Sequence, residues 1–314
     1  LGRIYGEKFK EMGGNVFGNT ASIKREDIKP TLKEFLRQFK QIFPKAEPHF
    51  SQMKTIGSVG KKEVSGDIDL VLAGSSFDDV DDWGLDRDRI MKLFEAFKKR
   101  ARTASDEQLM RRAVVVAAAE VIQNSDTDIV PDMKGAGSGQ LFLMFPQYDE
   151  AGNTNGTSVQ IDINIGDVDW LEFSHYSAVY KGNVKGLHRT QLLVSMFSHG
   201  GYTFSHANGV KDKETGEVVA TTPQQAIEVL NNRYGLDLTK DSVANYFDIM
   251  DTLRDNLSQE DLNGVFDTYL RILDKTRADI PEDLQQYWID NQNRLALTGK
   301  FLPDDSNLVK YKTA

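Results

Sequence analysis

Cysteine is absent from the 314 residues, which removes disulfides, thiolate metal sites and thiol nucleophiles together and fits a reducing compartment. Long apolar runs are missing too. No stretch approaches the length of a membrane span, and Leu1-Gly2-Arg3-Ile4-Tyr5 lacks the apolar region of a signal peptide. A cytoplasmic protein with no membrane partner is therefore expected, and the start without Met reads as a trimmed or processed chain. An excess of positive charge is also lacking: the formal net charge is −9, which argues against a protein that coats nucleic acid through its overall field. The densest basic patch, Lys98-Lys99-Arg100 with Arg102 and Arg111-Arg112, reads as the solvated side of two helices. The histidines show no HExxH spacing. Gly135-Ala136-Gly137-Ser138-Gly139 lacks both phosphate-loop spacings and reads as a turn before a strand. In the acidic run from Asp78 to Gly84, Trp83 and Ile90 fall where an EF-hand needs oxygen ligands, so that run reads as a loop. Asn155-Gly156-Thr157 without a secretory signal is only a loop.

What is present centres on Ile56 to Leu72. A small-residue turn, Gly57-Ser58, is followed by the basic pair Lys61-Lys62, then Ser65-Gly66, then an apolar run interrupted by Asp67 and Asp69. Residues i and i+2 of a strand share a face, so these two carboxylates point the same way. Like charges so close are costly unless neutralised, and carboxylate oxygens are the hard ligands that magnesium or manganese prefers. Bare backbone N–H groups at Gly57-Ser58 would suit a phosphate beside them. A second acidic strand lies in Val159 to Ile165, where Val159, Ile161, Ile163 and Ile165 alternate towards the core and Gln160, Asp162 and Asn164 face outward.

The chain length suits one large or two modest domains with a real core. Residues 1–24 read as an arm. From Arg25, the residues Ile28, Leu32, Phe35, Leu36, Phe39, Ile42 and Phe43 form one helical stripe that Pro44 ends. Helices are expected over about 86–102 and 105–123, then a strand over 140–145, a polar loop over 147–158 and the Asp162 strand. Beyond these come a helix over 187–197, a strand at 201–205, a hairpin over 209–219 and a helix opened by Thr222-Pro223. Three amphipathic segments fill 240–300, the second capped by Ser258 and the third opened by Pro281.

Gly-Ser, a spacer and Ser-Gly-Asp-x-Asp on a strand, with a later apolar-Asp-apolar at Ile161-Asp162-Ile163, resembles the signature of the DNA polymerase beta superfamily of nucleotidyltransferases. The order of elements over roughly 50–238, including the turn Val179-Tyr180-Lys181-Gly182-Asn183, resembles the palm and thumb of its family X polymerases. The resemblance implies an α+β fold: a mixed or antiparallel palm sheet flanked by helices within 25–185, a small thumb-like region within 186–239 and a helical appendage over 240–314. It implies two Mg2+ (or Mn2+) ions, both held by Asp67 and Asp69, with Asp162 on the catalytic ion only. Gly57 and Ser58 would hold a triphosphate, with Lys61 or Lys62 neutralising it and Ser65-Gly66 approaching it. Tyr180 and Gly182 would lie under the sugar, and Arg189 would face the base or phosphate. The implied activity transfers an NMP from an NTP or dNTP to an acceptor hydroxyl with release of pyrophosphate, with a DNA or RNA 3′ end as the leading acceptor. A small-molecule or protein acceptor, or a non-catalytic nucleotide-sensing module, stays open. Two departures bear on the acceptor. The stretch before Gly57 carries neither the helix-hairpin-helix nor the lyase region of repair polymerases, and Gln160 and Asn164 stand where the family often has arginines.

Overall fold

A computed structural model describes residues 16–176 and 186–297. These described residues fall into two compact units, one up to Glu172 and one from Phe173 onward.

The first unit is built on a helix and a sheet. Strand β1 (Ile23–Lys24) runs directly into α1 (Arg25–Ile42). Pro30 lies inside that helix, beyond the first turn where it was expected, so the hydrogen bond that an N–H there would give to the Glu26 carbonyl is lost, and the chain leaves at Phe43-Pro44. The predicted stripe is the buried face: Ile28, Phe35 and Phe39 are interior. Phe35 meets Phe145 of the sheet edge-on at 5.5 Å, and Phe39 packs on Phe43, Phe50 and Trp83. A short helix, α2 (Glu47–Phe50), and strands β2 (Lys54–Thr55), β3 (Val64–Ser65) and β4 (Ile68–Ala73) follow. Helix α3 (Arg87–Arg100) packs against α4 (Asp106–Gln123), which meets the edge of the sheet; Asp86 caps the first, and a Ser105–Gln108 capping box opens the second. Val114 to Ala119 of α4 are buried on every side, which is why that stretch shows no polar face in the sequence.

Strand β5 (Val130–Pro131) leads to a one-turn helix, α5 (Met133–Gly137), then β6 (Leu141–Tyr148) and β7 (Thr154–Gly166). The glycine-rich stretch expected as a plain turn is thus partly helical, because Asp132 accepts hydrogen bonds from the N–H groups of Lys134 and Gly135. The polar loop expected over 147–158 is likewise much shorter, since polar residues from Thr154 onward pair with β6. The five strands lie in the order β2-β4-β7-β6-β5. Only β4 and β7 are parallel, and their register sets Asp69 opposite Asp162. Ile68, Leu70, Leu72, Ile161 and Ile163 join the core shared with the helices. On the opposite face Val71 packs with Ile56 and with Leu171 of α6 (Val168–Ser174). The class is α+β, with a mixed sheet.

The second unit centres on α7 (Leu187–His199), of which Leu192, Leu193, Met196 and Phe197 are fully buried. Around it stand the antiparallel strands β8 (Tyr202–Ser205), β9 (Gly209–Asp212) and β10 (Val218–Ala220), then α8 (Pro223–Tyr234), α9 (Tyr246–Asn256), α10 (Gln259–Thr276) and α11 (Gln285–Asn291). Thr222 caps α8 at its start and Gly235, at φ 66°, ends it in the left-handed region. Ser258 accepts from the Asp261 N–H at the start of α10.

Two imidazoles in this unit, His175 and His206, stack with ring centroids 4.0 Å apart. Burial pushes His175 down to about 4 and His206 down as well, with His175 and Arg189 adding to the latter. The fold therefore prefers both rings neutral, whereas unfolded imidazoles gain protons near 6.5. Their contribution to stability is complete above pH 6.5 and is lost as pH falls from there through about 4. Thermal denaturation followed from pH 8 to 4 should show this loss, and His206→Phe should flatten it. A melting temperature of the wild type that holds level down to pH 4 would contradict this assignment.

Candidate active site

Asp69 lies on β4 and Asp162 on β7, and Asp67 precedes β4 by one residue. The ladder places Asp69 and Asp162 as direct Cα partners. Parallel neighbours in register share a face, so both carboxylates leave the same side of the sheet. Asp67 joins them, since its charge raises the pKa of both Asp69 and Asp162. All three are displaced in one direction. Burial first, then the Asp67 charge, pushes Asp69 up to about 7, and an Asn164 hydrogen bond opposes this. Burial and the charges of Asp69 and Asp67 raise Asp162, with a Gln160 hydrogen bond opposing; burial also raises Asp67.

The side chains that meet these carboxylates are neutral amides. Gln160 Nε2 donates to Asp162 Oδ1 at 2.8 Å. Asn164 Nδ2 donates to Asp69 Oδ1 at 3.4 Å and to the Leu70 carbonyl at 3.1 Å. Among the described residues no lysine or arginine forms an ion pair with any of the three. Uncompensated carboxylates at one place are a donor set suited to hard divalent cations. Among the described residues no group of three His, Asp or Glu side chains is drawn together closely enough to hold an ion by itself.

Gln160 and Asp162 were expected on an open face, yet Gln160 is fully buried and Asp162 is only 7 % exposed. The cause is the segment before α1. The Val16 N–H donates to Gln160 Oε1 at 2.9 Å, and the Ala21 N–H donates to the Ser158 carbonyl at 2.7 Å. Residues 16–24 therefore lie against the part of β7 that extends beyond β4. The position of Gln160, two residues before Asp162 on one face, is the sequence signal that points to it. Nothing local in the sequence marks Val16.

Upstream of β4, Gly57 and Gly60 take φ of 70° and 73°, conformations that strain any residue with a Cβ. The Lys61 N–H closes a turn onto the Ser58 carbonyl at 3.1 Å, and the Gly60 N–H meets Oγ of the buried Ser65 at 3.4 Å. Lys62 is exposed, Lys61 half-buried, and a Cβ added to Gly66 would meet open space. Gly57, Ser58, Lys61, Lys62, Ser65 and Gly66 thus share the turn that feeds Asp67. Tyr180 and Gly182 lie outside the described residues. Arg189 is in the second unit, 1 % exposed; its Nε donates to the Val243 carbonyl at 2.8 Å, Nη1 donates to the Phe173 carbonyl, and the guanidinium stacks 4.8 Å from the Phe173 ring centre. No protein-family model matches the chain, and no curated protein matches it.

Proposed function

We propose that Asp67, Asp69 and Asp162 are the catalytic centre of a metal-dependent nucleotidyltransferase whose first unit is a polymerase-beta-like palm, acting on an NTP or dNTP. One observation carries this reading: among the described residues, carboxylates from two distant segments meet across a parallel strand pair, their side-chain hydrogen bonds come from amides, and no lysine or arginine forms an ion pair with them. A purely structural role would leave that repulsion without a purpose.

Asp67 and Asp69 would hold both of two Mg2+ or Mn2+ ions, and Asp162 the one beside the acceptor. When bound, these ions lower the pKa of the attacking hydroxyl and offset charge on the triphosphate and leaving group. The chain supplies the rest. The turn at Gly57 and Ser58 offers backbone N–H groups and a hydroxyl to phosphate oxygens, and Lys61 and Lys62 offer charge beside them. The β4–β7 ladder holds the acidic positions at fixed separation, so the attacking group and the phosphorus meet without further reorganisation. The acceptor we favour is a nucleic-acid 3′ end, on the resemblance of the element order to a polymerase palm and thumb, and the compartment we favour is the cytoplasm.

The test is incubation with each labelled nucleoside triphosphate, magnesium or manganese, and a pool of single-stranded DNA, RNA and tRNA. Labelled nucleic acid is the expected product. Label on the protein or on a small molecule would assign the acceptor elsewhere, and absence of pyrophosphate release with every acceptor would overturn the catalytic reading. Asp162→Ala should lower turnover by about a thousandfold or more, the equivalent of several kcal/mol of lost charge stabilisation. Its affinity for the triphosphate should stay within about threefold of wild type, under 1 kcal/mol. Affinity that falls as far as in Asp67→Ala would contradict this division of labour.

A further inference from the structure

The segment from Val16 to Arg25 is bonded both to the stretch that leads into Asp67 and to the part of β7 that leads into Asp162. On one side β1 pairs antiparallel with β3, Ile23 opposite Ser65 and Lys24 opposite Val64, immediately before Asp67. Arg25 strengthens this attachment, its N–H donating to the Glu63 carbonyl at 2.8 Å and its Nε to the Lys62 carbonyl at 2.9 Å. On the other side, the Ala21 N–H reaches the Ser158 carbonyl, and the Val16 N–H reaches Gln160, two residues before Asp162. Gln147 of β6 holds the same stretch by donating to the Ala21 and Ser22 carbonyls at 3.0 and 3.2 Å.

We propose that Val16–Arg25 is a clamp that fixes the spacing between Asp67-x-Asp69 and Asp162, and that Gln160 is the positioning residue through which it acts on Asp162. The geometry at Gln160 is specific. Its side chain is fully buried, and both ends of the amide are used over long sequence distances: Oε1 accepts from Val16, and Nε2 donates to Asp162 Oδ1. A buried amide so engaged has one orientation, because rotating it would set its NH2 against the Val16 N–H and its oxygen against a carboxylate. Asp162 is thereby held through Oδ1, with Oδ2 left for other partners. A neutral donor orients the carboxylate without lending it a counter-charge, so full negative charge stays available to a divalent ion. Asn164, on the same strand face, does the equivalent for Asp69. Residues far from Asp162 in sequence thus belong to the same structural device as the acidic strands.

This inference rests on the nucleotidyltransferase reading for its catalytic consequence but not for its structural one, so the test carries both readouts. Gln160→Met keeps the length and bulk of the side chain and removes both hydrogen bonds; Val16→Pro removes the N–H from the other end. For each variant, steady-state kcat and KM for the nucleotide, Mn2+ affinity by electron paramagnetic resonance, and hydrogen exchange over residues 16–25 would be measured. In both variants kcat and Mn2+ affinity should fall about tenfold to a hundredfold, with KM changed by less than about threefold, a shift that is small on the scale of binding energies. Exchange over 16–25 should quicken in both. Turnover and Mn2+ affinity at wild-type values in two folded variants, with exchange quickened, would overturn the clamp. Should the wild type itself prove inactive, the nucleotidyltransferase reading falls and the clamp is judged on Mn2+ affinity and exchange alone: weaker Mn2+ binding in both variants upholds it, and unchanged binding overturns it. If Gln160→Met fails to fold, Val16→Pro, which leaves the buried amide in place, decides.

Discussion

Asp69→Asn is expected to be inactive and, in chelator, more stable than the wild type. The loss of turnover follows from its position: as the residue proposed to contact both ions, it should cost about a thousandfold or more, several kcal/mol of charge stabilisation. The gain in stability follows from its surroundings. The fold raises the carboxyl of Asp69 from 3.8 to about 7, through burial and the neighbouring Asp67. A raised carboxyl means that the folded chain holds this proton more tightly than the unfolded chain does. The stability associated with it is therefore complete below pH 3.8 and is lost as pH rises through about 7. Asparagine resembles the protonated acid and never ionises, and its amide keeps an oxygen for the Asn164 donor. The advantage of Asp69→Asn should open as pH rises from 4 to 7 and stay constant above, on the order of 2 to 4 kcal/mol. Denaturant unfolding at pH 5 and pH 8 with chelator present measures it. A variant that is less stable than wild type at pH 8 would show that Asp69 serves the fold and would count against a site held under electrostatic strain.

Gly209→Ala is expected to destabilise the second unit through a clash with backbone. Gly209 opens β9 with φ at 78°, and a Cβ there would stand 2.1 Å from the Ala220 carbonyl oxygen and 3.1 Å from its carbon. Those atoms are backbone of the paired strand, so no rotamer change relieves the overlap. Either β10 moves away from β9 or the turn at Gly209 is rebuilt, and both outcomes disturb Val210 and Ala220, which are buried. The left-handed conformation alone adds about 1–2 kcal/mol for a residue with a Cβ, and the displaced strand adds more, for a total of about 3 kcal/mol or more. Gly216, in the same hairpin at φ 73° with no atom within 4 Å of an added Cβ, is the control; Gly216→Ala should cost only about the conformational strain. Hydrogen exchange over β8–β10 separates the two variants, and equal protection in both would refute the close-contact explanation.

The parts of this architecture that were legible in the sequence are those written in local periodicity. The stripe of Ile28, Phe35 and Phe39 specifies α1, and the alternation Val159-Ile161-Ile163 specifies the core face of β7, because burying one face demands a repeat that a short window reveals. Caps at Thr222 and Ser258 were legible from the local sequence as well, whereas the Ser105 capping box was not read. The convergence of Asp69 on Asp162 is a matter of register between strands distant in sequence, which no local pattern carries; it was expected only through the resemblance. The burial of Gln160 was missed because outward-facing polar residues ordinarily meet water, and here another segment of the chain meets them instead. The reach of the β6–β7 hairpin was missed since Thr154 to Ser158 are polar, and backbone pairing does not require apolar side chains.

The parallel pairing of β4 with β7 also fixes when the acidic cluster comes into being. Parallel strands need a long crossover, and here the crossover contains α3, α4 and the first arm of the hairpin. As the chain leaves the ribosome, Asp67 and Asp69 emerge long before their partner strand exists, and any fragment that ends before β7 has no cluster at all. Closing so large a loop is slow relative to forming local helices, and it brings the carboxylates together only when the sheet closes. At the proposed metal site, divalent ions present during refolding should therefore act on the final ordering step rather than on the early collapse.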